Sequence, residues 1–197
     1  MPRPPEALLL AAFPPELCGL DASPPAGWFA ACVGIGAVPA AVATARLLSA
    51  RQPGRVLFVG TCGAYDARLS PGDLLAAGEA IAASQDELEG RAYRPALERA
   101  RWPASWALPA RFPLHAVAVP PAVTATAAGA AAFAALAAAE HLELTGVFAA
   151  CAELGVPVAA ALGVANRVGP EAHAEWRARH AAVSRALIEA LRAERVL

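Results

Sequence analysis

The sequence predicts an α/β fold of three layers, with helices on both faces of a central sheet, and three observations predict it. Short apolar runs alternate with longer helical segments along the whole chain, as they do where strands and crossover helices follow one another. The apolar runs are continuous rather than alternating, which marks strands covered on both faces. A chain of 197 residues with 57% hydrophobic content is long enough to bury one core as a single domain spanning 1–197, and no linker or internal repeat divides it.

Taken in order, Leu8 to Ala12, Trp28 to Val33 and Val56 to Val59 read as strands, the last introduced by the turn signal Pro53-Gly54. Val38 to Ala50, apolar on every face and ending at Arg51, reads as a packed crossover helix. Leu74 to Ala83 and Leu114 to Val119 are further strands. The polar interval from Ser84 to Arg111 carries Pro95, Pro103 and Pro109 and reads as a long loop with one short helix. Ala127 to Ala139 and Leu144 to Leu154 are helices, Val158 to Val164 is a strand, and Glu171 to Arg195 is a long amphipathic helix. Only 6% of residues are aromatic, so the core must be built from closely packed small side chains.

Composition also excludes classes of partner. A net charge of -1 gives no electrostatic basis for binding nucleic acid or anionic lipid. The uncharged stretch from Ala116 to Ala139 is long enough to span a bilayer, but Pro120-Pro121, Thr124, Thr126 and Gly129 interrupt it; strand, loop and helix explain it instead. Ala7 to Phe13, flanked by prolines, is a strand and not a signal core. Cys18, Cys32, Cys62 and Cys151 have no paired spacing and read as reduced, buried thiols of a cytoplasmic protein. His173 and His180 share a helical face but lack a third ligand at matching spacing, so no metal site and no cofactor is expected.

One stretch concentrates the chemistry. Glu143 stands 14 residues before Pro157 and Asn166 follows 9 later, an order of strand end, helix and buried strand that brings a carboxylate and an amide to one sheet edge. Glu143 lies in an apolar run, where an unpartnered carboxylate is costly, and this favours a ligand role. Three glycine-containing turns precede it. Gly34-Ile35-Gly36-Ala37-Val38-Pro39 resembles a dinucleotide fingerprint, but its sixth position is proline and no acidic residue closes the next strand, so NAD binding is rejected. Gly60-Thr61-Cys62-Gly63 lets backbone approach a ligand and offers a hydroxyl, whereas Ser70-Pro71-Gly72-Asp73 is an ordinary turn. Glu16 alone could equally be a solvated helix-start acid, and Asn166 a loop cap.

These motifs, in order from residue 8 to about 180, resemble the nucleoside phosphorylase and nucleosidase superfamily, nearest to its futalosine hydrolase and methylthioadenosine nucleosidase branch. Ala12-Phe13-Pro14-Pro15-Glu16 is similar to the family's Ala-x-x-x-Glu, and Gly34-Ile35-Gly36 to its Gly-Ile-Gly helix start. Gly60-Thr61-Cys62-Gly63 followed by Gly72-Asp73, Val119 to Thr124, and Leu142-Glu143 continue the series. Ala165-Asn166-Arg167-Val168-Gly169 with Trp176 resembles the Ser-Asn-x-Val-Gly…Trp signature of futalosine hydrolases. The resemblance implies a phosphorylase/hydrolase-like fold with a mixed central sheet and cleavage of an N-ribosidic bond through an oxocarbenium-like state.

It further implies Glu16 and Asn166 as catalytic residues, with Glu16 orienting or deprotonating water and Asn166 binding the purine edge. Gly36, Gly60, Thr61, Thr124, Leu142 and Glu143 would bind substrate, Glu143 accepting both ribose hydroxyls. No arginine lies between Gly19 and Ala45 to hold phosphate, so water is the expected nucleophile. An amide at 166 suits a 6-oxopurine, which makes futalosine, a menaquinone precursor, the leading substrate; methylthioadenosine, a phosphorolytic reaction and an inactive nucleoside-binding relative are the alternatives. The 17 residues between Glu16 and Gly34 are too few for the helix and hairpin usual there, and a homodimer is expected from the apolar excess.

Overall fold

The computed structural model describes residues 6–20 and 24–197. β1 (Ala7–Ala11) runs parallel to β2 (Trp28–Cys32) on one edge and to β3 (Arg55–Ala64) on the other. β1 is buried along its whole length, and its residues divide by period: Leu8 and Leu10 enter one core cluster, Leu9 and Ala11 the other. That two-sided burial is why the run shows no polar alternation. The first cluster lies under α1 (Ala37–Arg51) and α4 (Leu144–Glu153), through Ala40, Leu48, Val147 and Phe148. The second lies under α5 (Ala172–Ala193), through Leu187, Ile188 and Leu191. Helices therefore cover both faces, as the sequence predicts.

The sheet is mixed, and part of it closes on itself. β8 (Val158–Arg167) runs parallel to β3 and antiparallel to β4 (Leu74–Ala82). β4 is parallel to β6 (Leu114–Val119), β6 to β7 (Ala139–Glu140), and β7 returns antiparallel to the end of β3. The ring β3–β7–β6–β4–β8 has no free edge, and the ends of β3, β7 and β8 meet at one rim. Sequence periodicity carries no sign of this closure, because it depends on which strand finds which partner.

Four boundaries need correction. The predicted strand Val56 to Val59 runs on to Ala64, so Gly60-Thr61-Cys62-Gly63 is strand and not turn. Gly63 pairs with Glu140 on one side and Asn166 on the other, and this two-sided ladder overrides the local glycine signal. For the same reason β8 continues past Val164 to Arg167, which places Asn166 in a strand and not in a loop. The helix predicted to Ala139 ends as α3 (Ala127–Ala134), because Ala139 and Glu140 are taken into β7. The interval Ser84 to Arg111 holds α2 (Gln85–Leu88), capped reciprocally by Ser84 and Glu87, and also β5 (Arg101–Pro103), antiparallel to β4. Pro103 fits there because β5 is an edge strand. Cys62 and Cys151 are buried and Cys18 is partly so, but Cys32 is exposed, so the expectation of four buried thiols holds for two; all four are unpaired. Among the described residues no helix is long and apolar enough to cross a membrane.

Candidate active site

A cavity of about 320 Å³ opens at the rim where β3, β7 and β8 end. Glu16, Thr61, Leu142, Glu143 and Asn166 line it together, although the chain separates the first from the last by most of the domain. A wider groove of about 740 Å³ between β4, β6 and α5 contains Arg68, Arg111 and Glu189 but none of the predicted residues.

Glu16 stands in a 3-10 turn, Pro14–Leu17, which the preceding strand drives into the rim; it is 3% exposed and so is not a solvated helix-start acid. Three donors converge on it. Ala12 N–H donates to Oε2 at 3.0 Å, while Thr61 gives Oε1 its backbone N–H at 2.8 Å and its hydroxyl at 3.0 Å. Burial pushes the carboxyl up to about 7; the three donated bonds oppose that rise and the nearby carboxylate of Glu143 adds to it. A carboxyl poised near neutrality in a cleft has the acidity that proton transfer requires.

Glu143 is the residue that precedes α4, yet its side chain does not cap that helix. It reaches instead to the start of α1, where Gly36 N–H donates to Oε1 at 2.7 Å. Gly36 has φ +92, a conformation that aims its N–H at the cavity and that a side chain would strain. Gly36 thus holds the carboxylate and does not itself line the cavity. Gly60 instead leaves room below Glu16: a Cβ there would lie 3.1 Å from Glu16 Oε1 and 3.1 Å from His141 Nε2. Any side chain at 60 would push both groups out of place.

Asn166 lines the cavity, but its Nδ2 donates to the carbonyl of Arg167 at 2.9 Å. One amide hydrogen bond is therefore local, and the rest of the amide is left for the cavity. Thr124 sits one contact further back. Its N–H donates to Glu140 Oε1 at 3.1 Å, so it anchors the Pro120–Thr126 loop and does not line the cavity.

Glu140, His141, Phe13 and His173 also line the cavity, and sequence reasoning gave neither them nor Trp176 a role in it. Glu140 is buried and accepts from the Tyr65 hydroxyl at 3.0 Å as well as from Thr124; burial raises its carboxyl, and the bonds from Thr124 and Tyr65 oppose that rise. Its position in an apolar run is the same signal that singled out Glu143. His141 Nδ1 lies 3.1 Å from both the Glu143 N–H and Glu143 Oε2. Burial pushes the imidazole below its ordinary value, and the Glu143 carboxylate opposes this only in part. His141 is therefore neutral, Nδ1 accepting from the Glu143 N–H and Nε2 carrying the proton. Among the described residues no cluster of His, Cys, Asp and Glu could hold a metal ion.

A family model described as the phosphorylase superfamily matches residues 27–193. Among solved structures, a futalosine hydrolase mutant of Helicobacter pylori superposes with a TM-score of 0.81 at 18% identity, covering 97% of this chain and 98% of that one. A 5'-methylthioadenosine/S-adenosyl homocysteine nucleosidase of the same organism gives 0.83 at 17% identity, covering 98% and 99%. The corresponding nucleosidase of Colwellia psychrerythraea, in complex with adenine, gives 0.76 at 19% identity, covering 95% and 93%. No curated protein sequence matches the chain significantly.

Proposed function

Since this chain belongs to the phosphorylase superfamily, we propose that it is a nucleosidase that hydrolyses the N-ribosidic bond of a purine nucleoside, futalosine first among candidates. The observation that carries the reading is one cavity in which Glu16 and Glu143 are separately anchored, with no arginine among the described residues that line it. Glu143, fixed by Gly36, accepts the ribose hydroxyls; Leu142 packs beneath the sugar. Glu16, fixed by Thr61 and Ala12, takes the proton of a water aimed at the anomeric carbon as the base departs. A phosphate dianion in the same place would meet carboxylate charge without a guanidinium to offset it, which favours water as nucleophile. His173 and Asn166 stand on the wall left for the base.

The test is base release from futalosine, aminodeoxyfutalosine, methylthioadenosine and inosine, with and without phosphate. Release that requires phosphate would overturn hydrolysis; nucleoside binding without release would make the chain an inactive relative. Asn166→Asp then reads the base. Because Nδ2 donates to Arg167 O, an Asp costs stability whatever the ligand. The informative quantity is accordingly the ratio of rates on 6-oxo and 6-amino nucleosides, expected to fall about tenfold or more as an ionised Asp faces O6 and N7. An unchanged ratio would remove Asn166 from base recognition.

A homodimer is part of the same proposal. Ile35, Val38 and Val42 are 62%, 75% and 57% exposed, and the two valines share one face of α1. Ile35 also lines the cavity, so a second copy seated on this face would close the cavity mouth. Sedimentation should find a dimer at micromolar concentration that Val38→Asp dissociates; a wild-type monomer would refute it.

A further inference from the structure

Trp176 lines the cavity. Its ring lies 4.3 Å from that of His180 at 14° and 6.0 Å from that of His173 at 19°, so imidazoles flank the indole along α5. Its Nε1–H donates to Thr61 Oγ1 at 3.1 Å. That same oxygen lies 3.0 Å from Glu16 Oε1. An indole nitrogen has no lone pair to offer and can only donate, whereas a hydroxyl has a single proton. With Trp176 on one side of Thr61 Oγ1, that proton is directed to Glu16.

We propose that Trp176 is a positioning residue whose indole N–H fixes the direction of the Thr61 hydroxyl, so that Glu16 receives a third hydrogen bond and is held as the carboxylate. The catalytic consequence rests on Glu16 being the water-handling base; the relay itself does not. Without the indole the Thr61 hydroxyl is free to turn and accept from a protonated Glu16, which stabilises the neutral acid. The groups that face Glu16 from other elements are Glu143 at the start of α4, Cys32 at the end of β2 and Cys62 on β3. His141 adds its Nε2 across Gly60, and His173 and His180 stand behind the indole. None of these supplies the Thr61 hydroxyl with its donor, which comes from Trp176.

The experiment is a carboxyl carbon-13 titration of Glu16 in the protein without substrate, in the wild type, Trp176→Phe, Thr61→Val and the double variant. Trp176→Phe should raise the midpoint by about half to one pH unit, and should add nothing in the Thr61→Val background. An unmoved midpoint, or an equal rise in both backgrounds, would overturn the relay. Should Trp176→Phe not fold, the indole N–H resonance of the wild type gives the answer: it should shift with the Glu16 midpoint, and a flat response would overturn the proposal. Base release in the same variants separates the two readings. A wild type inactive on every nucleoside removes the nucleosidase and leaves the relay to the titration. An active one whose acidic limb is unmoved in Trp176→Phe removes the relay from catalysis.

Discussion

Glu143→Gln is expected to lower kcat/KM for base release by about two to four orders of magnitude while leaving thermal stability unchanged or slightly raised. Two charge-assisted bonds to ribose hydroxyls are at stake, each worth roughly 1.5 to 3 kcal/mol. The fold loses little. A Gln carbonyl oxygen can keep the 2.7 Å bond from Gly36 N–H, which puts the new amide group where Oε2 now lies, 3.1 Å from His141 Nδ1. With His141 neutral, that nitrogen is an acceptor, and an amide hydrogen suits it better than a carboxylate oxygen does. Single-turnover release measured beside calorimetric melting checks both halves. Unchanged turnover would take Glu143 out of the site.

Much of this site was legible because a few residues contradict their surroundings. Glu143 in an apolar run suggests a ligand role from the sequence, and in the structure its Oε1 also accepts from Gly36 N–H. Glu16 is harder to read, since a Pro-Pro-Glu turn fits a surface equally well; the packing of α5, β3 and β1 against that turn buries it. The sequence around Thr61 predicts a turn hydroxyl where the structure has a strand hydroxyl, because the pairing of β3 with both β7 and β8 is not written in any local pattern. Helices α1, α4 and α5, whose signals are local, lie within two residues of their predicted spans, whereas α3 ends five residues early because β7 takes up Ala139. His141 has no periodicity to betray it, and the contact of Trp176 with Thr61 joins residues that the packing of α5 on β3 brings together.

Glu16→Gln separates binding from turnover. On the reading of Glu16 as the base, nucleoside affinity should stay within a few-fold of wild type and turnover should fall by about two to four orders of magnitude. The pH dependence gives a second handle with a definite sign. A base whose carboxyl is pushed up to about 7 is protonated and idle in acid, so wild-type kcat/KM should rise through an acidic limb near that value, and the limb should vanish in the variant. Stability runs the opposite way. A carboxyl raised in the folded state stabilises the fold below its unfolded value, near 4.5, and that contribution is lost as pH rises through about 7. Gln carries no such charge, although its amide hydrogens cannot accept from both Ala12 N–H and Thr61 and one of those bonds is given up. That cost is the same at every pH. The melting temperature of Glu16→Gln relative to wild type should therefore be higher at pH 8 than at pH 5, and a difference that is flat or reversed would mean that Glu16 is already ionised in the fold at pH 5 and is not the poised base.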